Sequence, residues 1–183
     1  MPEQSFDVQL PLPGKHNVMN ALAAIAACTA ANVPVSAIQS GLEQIQSVKG
    51  RLQLKAGVNG SQIIDDTYNA NPASLNVALD VLKNYSGQHY LALGDMGELG
   101  EESQALHEQA GKQAKESGVQ RLFTLGPLAE FSGKAFGQGA ESFQQHEDLV
   151  DVLKNELHEQ ITLLVKGSRS MHMEKIVEAV SAG

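Results

Sequence analysis

From about residue 51 onward, short apolar runs alternate with longer segments of helical periodicity, and this alternation constrains the fold more than any other feature. Strand, helix and strand in series form a parallel crossover unit, and repeated units predict a mostly parallel sheet with helices on both faces, an α/β fold. The predicted strands are 51–55, 62–65, 89–94, 120–125, a short one near 140–144, and 161–166. The predicted helices are 73–84, 102–117, 127–136, 147–158 and 171–181.

The first fifty residues have a different pattern. Residues 6–10 alternate apolar and polar side chains, which predicts a strand. Two helices are predicted to follow at 17–31, with Asn17 as the N-cap, and at about 35–47. One strand and two helices are too few to close a core, so we place a domain boundary between residues 50 and 51. The opening stretch reads like the middle of a strand and loop, and we expect the chain to be part of a larger protein.

Composition excludes several classes of function. The chain has 183 residues and a net charge of −8, which argues against nucleic acid as the main partner because phosphate binding requires basic patches. The single cysteine, Cys28, has no partner for a disulfide within the chain. The apolar segment 21–31 is too short to span a bilayer, and the N-terminus lacks the basic region of a signal peptide. We therefore expect a cytoplasmic protein without membrane insertion.

Three polar junctions follow predicted strands, at 65–72, 94–100 and 166–170. In sheets of this kind, ligands bind beyond the carboxyl ends of the strands. The first junction reads DDTYNANP. One of its carboxylates could accept a ribose hydroxyl, and the alternative is that it caps the following helix. A cap accounts for one polar residue but not for the whole set, which comprises Asp65, Asp66, Tyr68, Asn69 and Asn71. Paired acids could also bind a metal, but no other ligand cluster supports a metal site.

The second junction, LGDMGELG, spaces its glycines differently from the dinucleotide fingerprint, and its acids would repel a pyrophosphate. Asp95 and Glu98 could instead meet a cationic group such as a substrate ammonium. His107, on the next helix, is predicted to be solvated. The third junction, within VKGSRSMHME, places Lys166, Ser168 and Arg169 between a strand and a helix, which suits a carboxylate or phosphate. A plain helix start explains this junction about as well.

Two further stretches contain candidate binding residues. Asn17 and Asn20 are three residues apart and share one helical face, where their carboxamides could meet the edge of a purine. A capping Asn17 and a solvated Asn20 are the simpler alternative. Arg51 stands between the two halves of the chain, and its guanidinium could bind phosphate oxygens in a bidentate manner. A solvent-facing arginine in a linker is the ordinary alternative.

These stretches occur together, and in one order, in a known family. LPGKHNVMNALAA, GR, IIDDTYNANPAS, LGDMGELG and VKGSRSMHMEKIV closely resemble the C-terminal half of the Mur ligases, and the resemblance covers essentially the whole chain. Within that family they are most similar to the members that join D-alanyl-D-alanine to UDP-N-acetylmuramoyl-tripeptide. The resemblance implies that residues 1–50 are the end of a central ATP-binding domain and that 51–183 form a Rossmann-like C-terminal domain.

The resemblance also implies a reaction and roles for residues. Mur ligases activate a carboxylate with ATP and Mg²⁺ as an acyl phosphate, which an amine then attacks to form an amide for peptidoglycan synthesis. By resemblance, Asn17 and Asn20 would face adenine, Arg51 would contact the terminal phosphate, and Asp65 or Asp66 would hold the ribose. Tyr68, Asn69 and Asn71 would shape the cleft. Lys166, Ser168 and Arg169 would place D-alanyl-D-alanine through its carboxylate.

The chain departs from the family pattern in one large respect. It contains no GxxxxGK[ST] phosphate loop, and the family's magnesium ligands and modified lysine belong to the central domain. We therefore expect the isolated chain to be inactive and no metal to be bound by it. The alternatives are a non-catalytic module that binds a nucleotide or a dipeptide, and a flavodoxin-like domain whose polar junctions are only helix caps.

Overall fold

The computed structural model describes residues 5–12, 14–46 and 48–182, which fall into two compact units divided between residues 47 and 48. The second unit is built on a six-stranded sheet. Its strands are β1 (Gln53–Ala56), β2 (Gln62–Asp66), β3 (Gln88–Gly94), β4 (Arg121–Leu125), β5 (Ala140–Phe143) and β6 (Ile161–Lys166). They lie in the order β1-β2-β6-β3-β4-β5, and every neighbouring pair is parallel except β1 with β2. The last strand of the chain therefore lies between the second and the third.

Five helices cover the sheet. They are α3 (Pro72–Leu82), α4 (Ser103–Glu116), α5 (Ala129–Phe136), α6 (His146–Glu156) and α7 (Glu174–Val180). Short 3-10 turns lie at Val58–Gly60, Gly100–Glu102 and Arg169–Met171. Within the described residues, no helix is long and apolar enough to cross a membrane.

Successive residues along each central strand enter opposite cores. On one face, Leu163 and Val165 of β6 pack in a cluster with residues of α6 and α7. On the other face, Leu164 packs with residues of α3, α4 and α5. This period of two follows from the pleat, and burial on both faces explains why the central strands read as continuous apolar runs. The structure confirms the predicted mostly parallel sheet with helices on both faces.

The first unit differs from the prediction in three respects. Residues 6–10 are not a strand, because a strand needs a partner and the described part of this unit offers only the helices α1 (Lys15–Ala30) and α2 (Val35–Glu43). Side chains hold this segment instead: Gln39 Nε2 donates to the Asp7 carbonyl at 2.9 Å, and the Gln9 amide donates to Glu43 Oε1 at 3.4 Å.

The other two corrections concern helix ends. The N-cap of α1 is Gly14, not Asn17, which lies in the first turn and donates its amide to the Gly14 carbonyl at 3.1 Å. Helix α2 ends at Glu43, with Gln44 as the C-cap, rather than near residue 47, and Ser47 lies outside the described residues. Asn32 follows the C-cap of α1, Ala31, in the left-handed region with φ 59°, a conformation that asparagine tolerates well.

The start of the second unit allows a direct test of the domain boundary. Gly50 is buried, and β1 is paired with β2, whereas residues 44–46, 48 and 49 are exposed. We expect limited proteolysis to cut within 44–49 and to leave residues 50–182 as a stable core, because proteases need an exposed, locally unfolded segment. Mass spectrometry of the fragments measures the site. First cleavage within 53–66 or 89–125 would contradict this boundary.

Candidate functional site

The three polar junctions meet at one edge of the sheet. They follow β2, β3 and β6, and β6 lies between the other two strands, paired in parallel with both. Asp66 is in register with Lys166, and Lys166 is in register with Leu93. The loops that follow these residues therefore start side by side at the carboxyl edge, where open α/β sheets bind ligands.

A buried ion pair lies at the centre of this edge. Lys166 is 1% exposed, and its Nζ donates to Asp66 Oδ2 at 2.5 Å and to the Asn69 carbonyl at 2.9 Å. Burial lowers the pKa of Lys166, the charge and hydrogen bond of Asp66 oppose that shift, and the charge of Arg51 adds to it. The lysine ammonium thus bonds to the end of β2 and to the loop that follows it.

The two adjacent aspartates have different environments. Asp65 has a side chain only 1% exposed, and both its oxygens are bonded: Oδ1 accepts from the Thr67 hydroxyl at 2.7 Å, and Oδ2 accepts from Lys55 Nζ at 2.7 Å. Asp66 is 13% exposed in its side chain, and its Oδ1 accepts from the Leu52 amide at 3.2 Å. In this conformation Asp65 offers no surface to a ribose, which leaves Asp66 as the candidate of the two.

An exposed aromatic platform stands beside this pair. Tyr68 is 49% exposed, and the Arg51 guanidinium carbon lies 4.4 Å from the centroid of its ring. A cation over an aromatic face is attracted by the ring quadrupole, which contributes about 0.5–1 kcal/mol at an exposed site. The Tyr68 amide also donates to the Gly50 carbonyl at 3.0 Å. Tyr68, in the loop after β2, therefore contacts both the backbone of Gly50 and the side chain of Arg51.

The two asparagines of this loop have local roles. Asn71 is the N-cap of α3: its Oδ1 accepts from the Ser74 amide at 2.8 Å, the Ser74 hydroxyl accepts from the Asn71 amide at 3.1 Å, and Pro72 is the first helical residue. Asn69 is exposed, and its Oδ1 accepts from the Ala70 amide at 2.8 Å. The sequence Asn-Pro-Ala-Ser contains this capping box, so the N-cap of α3 is Asn71 and not one of the two aspartates.

The loop after β3 is anchored on both sides. Asp95 Oδ1 accepts from the Ala129 amide at 2.6 Å, which ties the loop to the start of α5. The Asp95 carbonyl accepts from the Ser168 amide at 2.9 Å, which ties it to the loop after β6. Glu98 is exposed and has a positive φ of 60°. One oxygen of the Asp95 carboxylate is thus bonded to the fold, and Glu98 is the acid of this loop that faces solvent.

His107 was predicted to be solvated, and the structure contradicts that prediction. It is fully buried, its Nε2 lies 2.9 Å from the Met96 amide, and its Nδ1 lies 2.6 Å from the Ser103 carbonyl. Because the Met96 amide donates, Nε2 is the acceptor and Nδ1 carries the proton. The histidine satisfies a backbone amide of the loop after β3, a role that helical periodicity cannot reveal.

The loop after β6 separates the three residues predicted to form one anion site. Lys166 turns toward Asp66, Ser168 is buried with its hydroxyl 3.2 Å from that of Ser170, and Arg169 is exposed. Arg169 Nη1 pairs with Glu174 Oε1 at 3.2 Å, and the arginine side chain is 63% exposed. Arg169 is therefore the one of the three whose charge reaches solvent.

Glu174 is the partner that orients this arginine. Burial by itself would raise the pKa of the Glu174 carboxyl, but its own backbone amide, the His172 side chain and the charge of Arg169 outweigh that effect and lower the pKa. The carboxylate is consequently ionised at neutral pH and holds the guanidinium from one side.

The remaining candidates lie in the first unit. Asn17 is half-buried and Asn20 is exposed, both on α1. In residues 5–12, 14–46 and 48–182, no group of three or more His, Cys, Asp or Glu side chains could hold a metal ion.

Comparison with known proteins shows a consistent set of relatives. The family model described as the Mur ligase, glutamate ligase domain, matches residues 50–169. The UDP-N-acetylmuramoyl-tripeptide–D-alanyl-D-alanine ligase of Escherichia coli is 42% identical over 181 residues, which are 98% of this chain and 40% of the relative. The ligase of the same name from Bacillus subtilis is 34% identical over 92% of this chain and 38% of its own length. The chain thus spans about two fifths of the relatives it matches.

Solved structures agree with these relatives. A crystal structure of MurF from Acinetobacter baumannii superposes with a TM-score of 0.85 at 35% identity, covering 97% of this chain and 40% of that protein. MurF from Thermotoga maritima in complex with ADP gives a TM-score of 0.77 at 24% identity over 88% of this chain, which shows a shared fold.

Proposed function

Because the chain belongs to the Mur ligase family, we propose that it supplies the C-terminal part of an ATP-dependent ligase that joins D-alanyl-D-alanine to UDP-N-acetylmuramoyl-tripeptide. The observation that carries this proposal is the 42% identity over 98% of the chain to the Escherichia coli ligase of that name. The meeting of three polar loops at the carboxyl edge of the sheet supports it, because this is where an α/β domain presents ligand-binding groups. Such a ligase would work in the cytoplasm on peptidoglycan precursors.

The proposed reaction has two steps. A carboxylate oxygen of the tripeptide forms a bond to the terminal phosphorus of ATP while the bond to ADP breaks, which gives an acyl phosphate. The amine of D-alanyl-D-alanine, having lost its ammonium proton, then attacks the acyl carbon, and inorganic phosphate leaves. Both steps develop charge on phosphate oxygens, so catalysis depends on positioning and on neutralising that charge.

We assign the nucleotide-facing roles as follows. Arg51 would neutralise charge on the transferred phosphate, Asp66 rather than Asp65 would lie nearest the ribose, and Tyr68 with Asn69 and the cap Asn71 would shape the cleft. Asn17 and Asn20 would contact adenine. By resemblance to the family, the Mg²⁺ ligands would come from the central domain; the described residues contain no group of three or more His, Cys, Asp or Glu side chains that could hold a metal ion.

The dipeptide would meet the loops after β3 and β6. Arg169 is exposed and held by Glu174, which suits it to anchor the dipeptide carboxylate, with Ser168 beside it. Glu98 is the exposed acid that could face the dipeptide ammonium, and Asp95 positions its loop.

A chimeric ligase tests the proposed function. In it, this chain replaces the segment of the Escherichia coli relative to which it aligns, and the Bacillus subtilis relative serves as a second host. We expect release of ADP that depends on both D-alanyl-D-alanine and UDP-N-acetylmuramoyl-tripeptide, together with the amide product by mass spectrometry. Chimeras of both hosts that unfold cooperatively yet form no product would count against the proposal.

Substitution of Arg169 tests the dipeptide site. In the chimera we expect Arg169→Ala to raise the KM for D-alanyl-D-alanine by about 10- to 100-fold, because a hydrogen-bonded charge contributes about 1.5–3 kcal/mol, and to leave kcat within a few-fold. Steady-state kinetics with the dipeptide as the varied substrate measures this.

Two variants control for the partner of Arg169 and for general charge. Arg169→Ala/Glu174→Gln also removes the carboxylate that the first variant leaves without its arginine partner, and it should keep the raised KM. Lys175→Ala removes an exposed cation from the neighbouring helix and should change nothing. A raised KM for ATP with a normal KM for the dipeptide would contradict the assignment.

A further inference from the structure

Lys166 is the most deeply buried cation at the carboxyl edge. It ends the central strand β6, where all six residues are buried, and it makes its two hydrogen bonds to the last residue of β2 and to the loop after β2, not to its own loop. An ammonium has three donors and no acceptor, so its orientation is set by the Asp66 carboxylate and the Asn69 carbonyl together. Its charge does not reach the surface on which Arg169 lies.

Stability alone gives no reason for this pair. Withdrawing two charges from water costs several kcal/mol per ion, and well-packed apolar side chains can often replace a buried pair without loss of stability. What such a pair does provide is a fixed geometry, since each carboxylate oxygen is directed at one partner. The relevant question is therefore which groups the pair holds in place.

The pair holds the segment that carries Arg51. Asp66 binds Lys166 through Oδ2 and the Leu52 amide through Oδ1, so the lysine fixes the carboxylate that fixes residue 52. On the other side of Arg51, the Gly50 carbonyl accepts from the Tyr68 amide. Gly50 is buried with φ 74°, and a Cβ there would lie 3.0 Å from the Tyr68 nitrogen, so this approach requires glycine.

We propose that Lys166 is a positioning residue for Arg51: through Asp66 it fixes the segment 50–52, and through the Asn69 carbonyl it fixes the loop that carries Tyr68, so that the guanidinium is aimed at the transferred phosphate. This role rests on the proposed function, and it replaces the expectation that Lys166 binds the dipeptide carboxylate. A guanidinium displaced by about 1 Å from a productive geometry loses on the order of 10²-fold in rate.

Kinetics of the chimeric ligase test this role with saturating ATP. Lys166→Met keeps the length and apolar stem of the side chain but removes its charge. We expect kcat to fall on the order of 10²-fold and the KM for D-alanyl-D-alanine to stay within a few-fold. A raised dipeptide KM with unchanged kcat would instead make Lys166 a dipeptide ligand and overturn the proposal.

A paired substitution separates positioning from folding. Lys166→Met leaves Asp66 buried without its lysine partner and is expected to lower the melting temperature, whereas Lys166→Met/Asp66→Asn removes both charges of this pair and should recover much of that loss. The double variant should still have the reduced kcat. Recovery of kcat together with stability would show that the pair is merely structural.

A double-mutant cycle with Arg51 identifies the group that Lys166 positions. If Lys166 acts through Arg51, then Lys166→Met should cost at most a few-fold in kcat once Arg51 is alanine, because the positioned group is already absent. Full additivity of the two losses would overturn the proposal while leaving the role of Arg51 intact. A harmless Arg51→Ala would instead refute the proposed site for Arg51 itself.

Discussion

Replacing Arg51 by alanine in the chimeric ligase is expected to lower kcat by on the order of 10³-fold or more and to leave the KM for D-alanyl-D-alanine nearly unchanged. The reason is that an arginine at this position would neutralise charge that appears on the phosphate only during transfer. Loss of an interaction made only in the transition state lowers kcat and kcat/KM equally. Product formation at saturating ATP and tripeptide, with the dipeptide varied, measures both quantities.

A large effect is expected although Arg51 is exposed, because the residues on both sides of it are held in place. The Gly50 carbonyl accepts from the Tyr68 amide in the loop after β2, and the Leu52 amide donates to Asp66 at the end of β2. The Tyr68 ring lies beneath the Arg51 guanidinium. An arginine held in this way loses less conformational entropy when it binds its ligand than a free surface arginine would.

Two control variants make the Arg51 result specific. Lys49→Ala removes a neighbouring cation that is 73% exposed and pairs with Glu178 at 3.5 Å, and it should retain kcat. Arg51→Lys keeps the charge but loses the planar fork and should recover only part of the activity. If Arg51→Ala turned over within a few-fold of the parent chimera, Arg51 would have no place in the site.

The sheet was predictable because its signals are local. β6 begins and ends at the predicted residues, because the run ITLLVK is too short for a typical helix and half of its residues are β-branched. The helices were predicted from their periodicity, with ends displaced by a few residues where caps such as Asn71 decided the boundary. Residues 6–10 had the right alternation but no partner strand among the described residues, and alternation alone does not make a strand.

The contacts of the site were not predictable, because they join residues far apart in the sequence. Lys166 and Asp66 are one hundred residues apart, and only the placement of β6 beside β2 brings them together. The sequence indicates that a charged residue ends an apolar strand, but it does not indicate which way that side chain turns. The pairing of Asp65 with Lys55 was easier to predict from the sequence, because β1 and β2 form an antiparallel pair joined by a short turn.

The isolated 183-residue chain is expected to show neither ligase nor ATPase activity, in contrast to the chimera that contains it. Phosphoryl transfer requires a backbone cradle for the phosphates, a lysine and magnesium ligands. The sequence contains no GxxxxGK[ST] loop, and the described residues contain no cluster of metal ligands. The groups that remain can contact a nucleotide but cannot neutralise its phosphates together.

The same reasoning predicts weak binding of ATP by the isolated chain. Groups on one surface leave the nucleotide largely in water, where each hydrogen bond contributes only about 0.5–1.5 kcal/mol net. A few such contacts give a binding free energy of about −4 kcal/mol, which corresponds to a dissociation constant in the millimolar range. Titration calorimetry with ATP and a phosphate-release assay with Mg²⁺ measure affinity and activity, with the chimera as the positive control. Micromolar affinity, or phosphate release above that of a heat-denatured sample, would mean that this chain alone forms a complete nucleotide site.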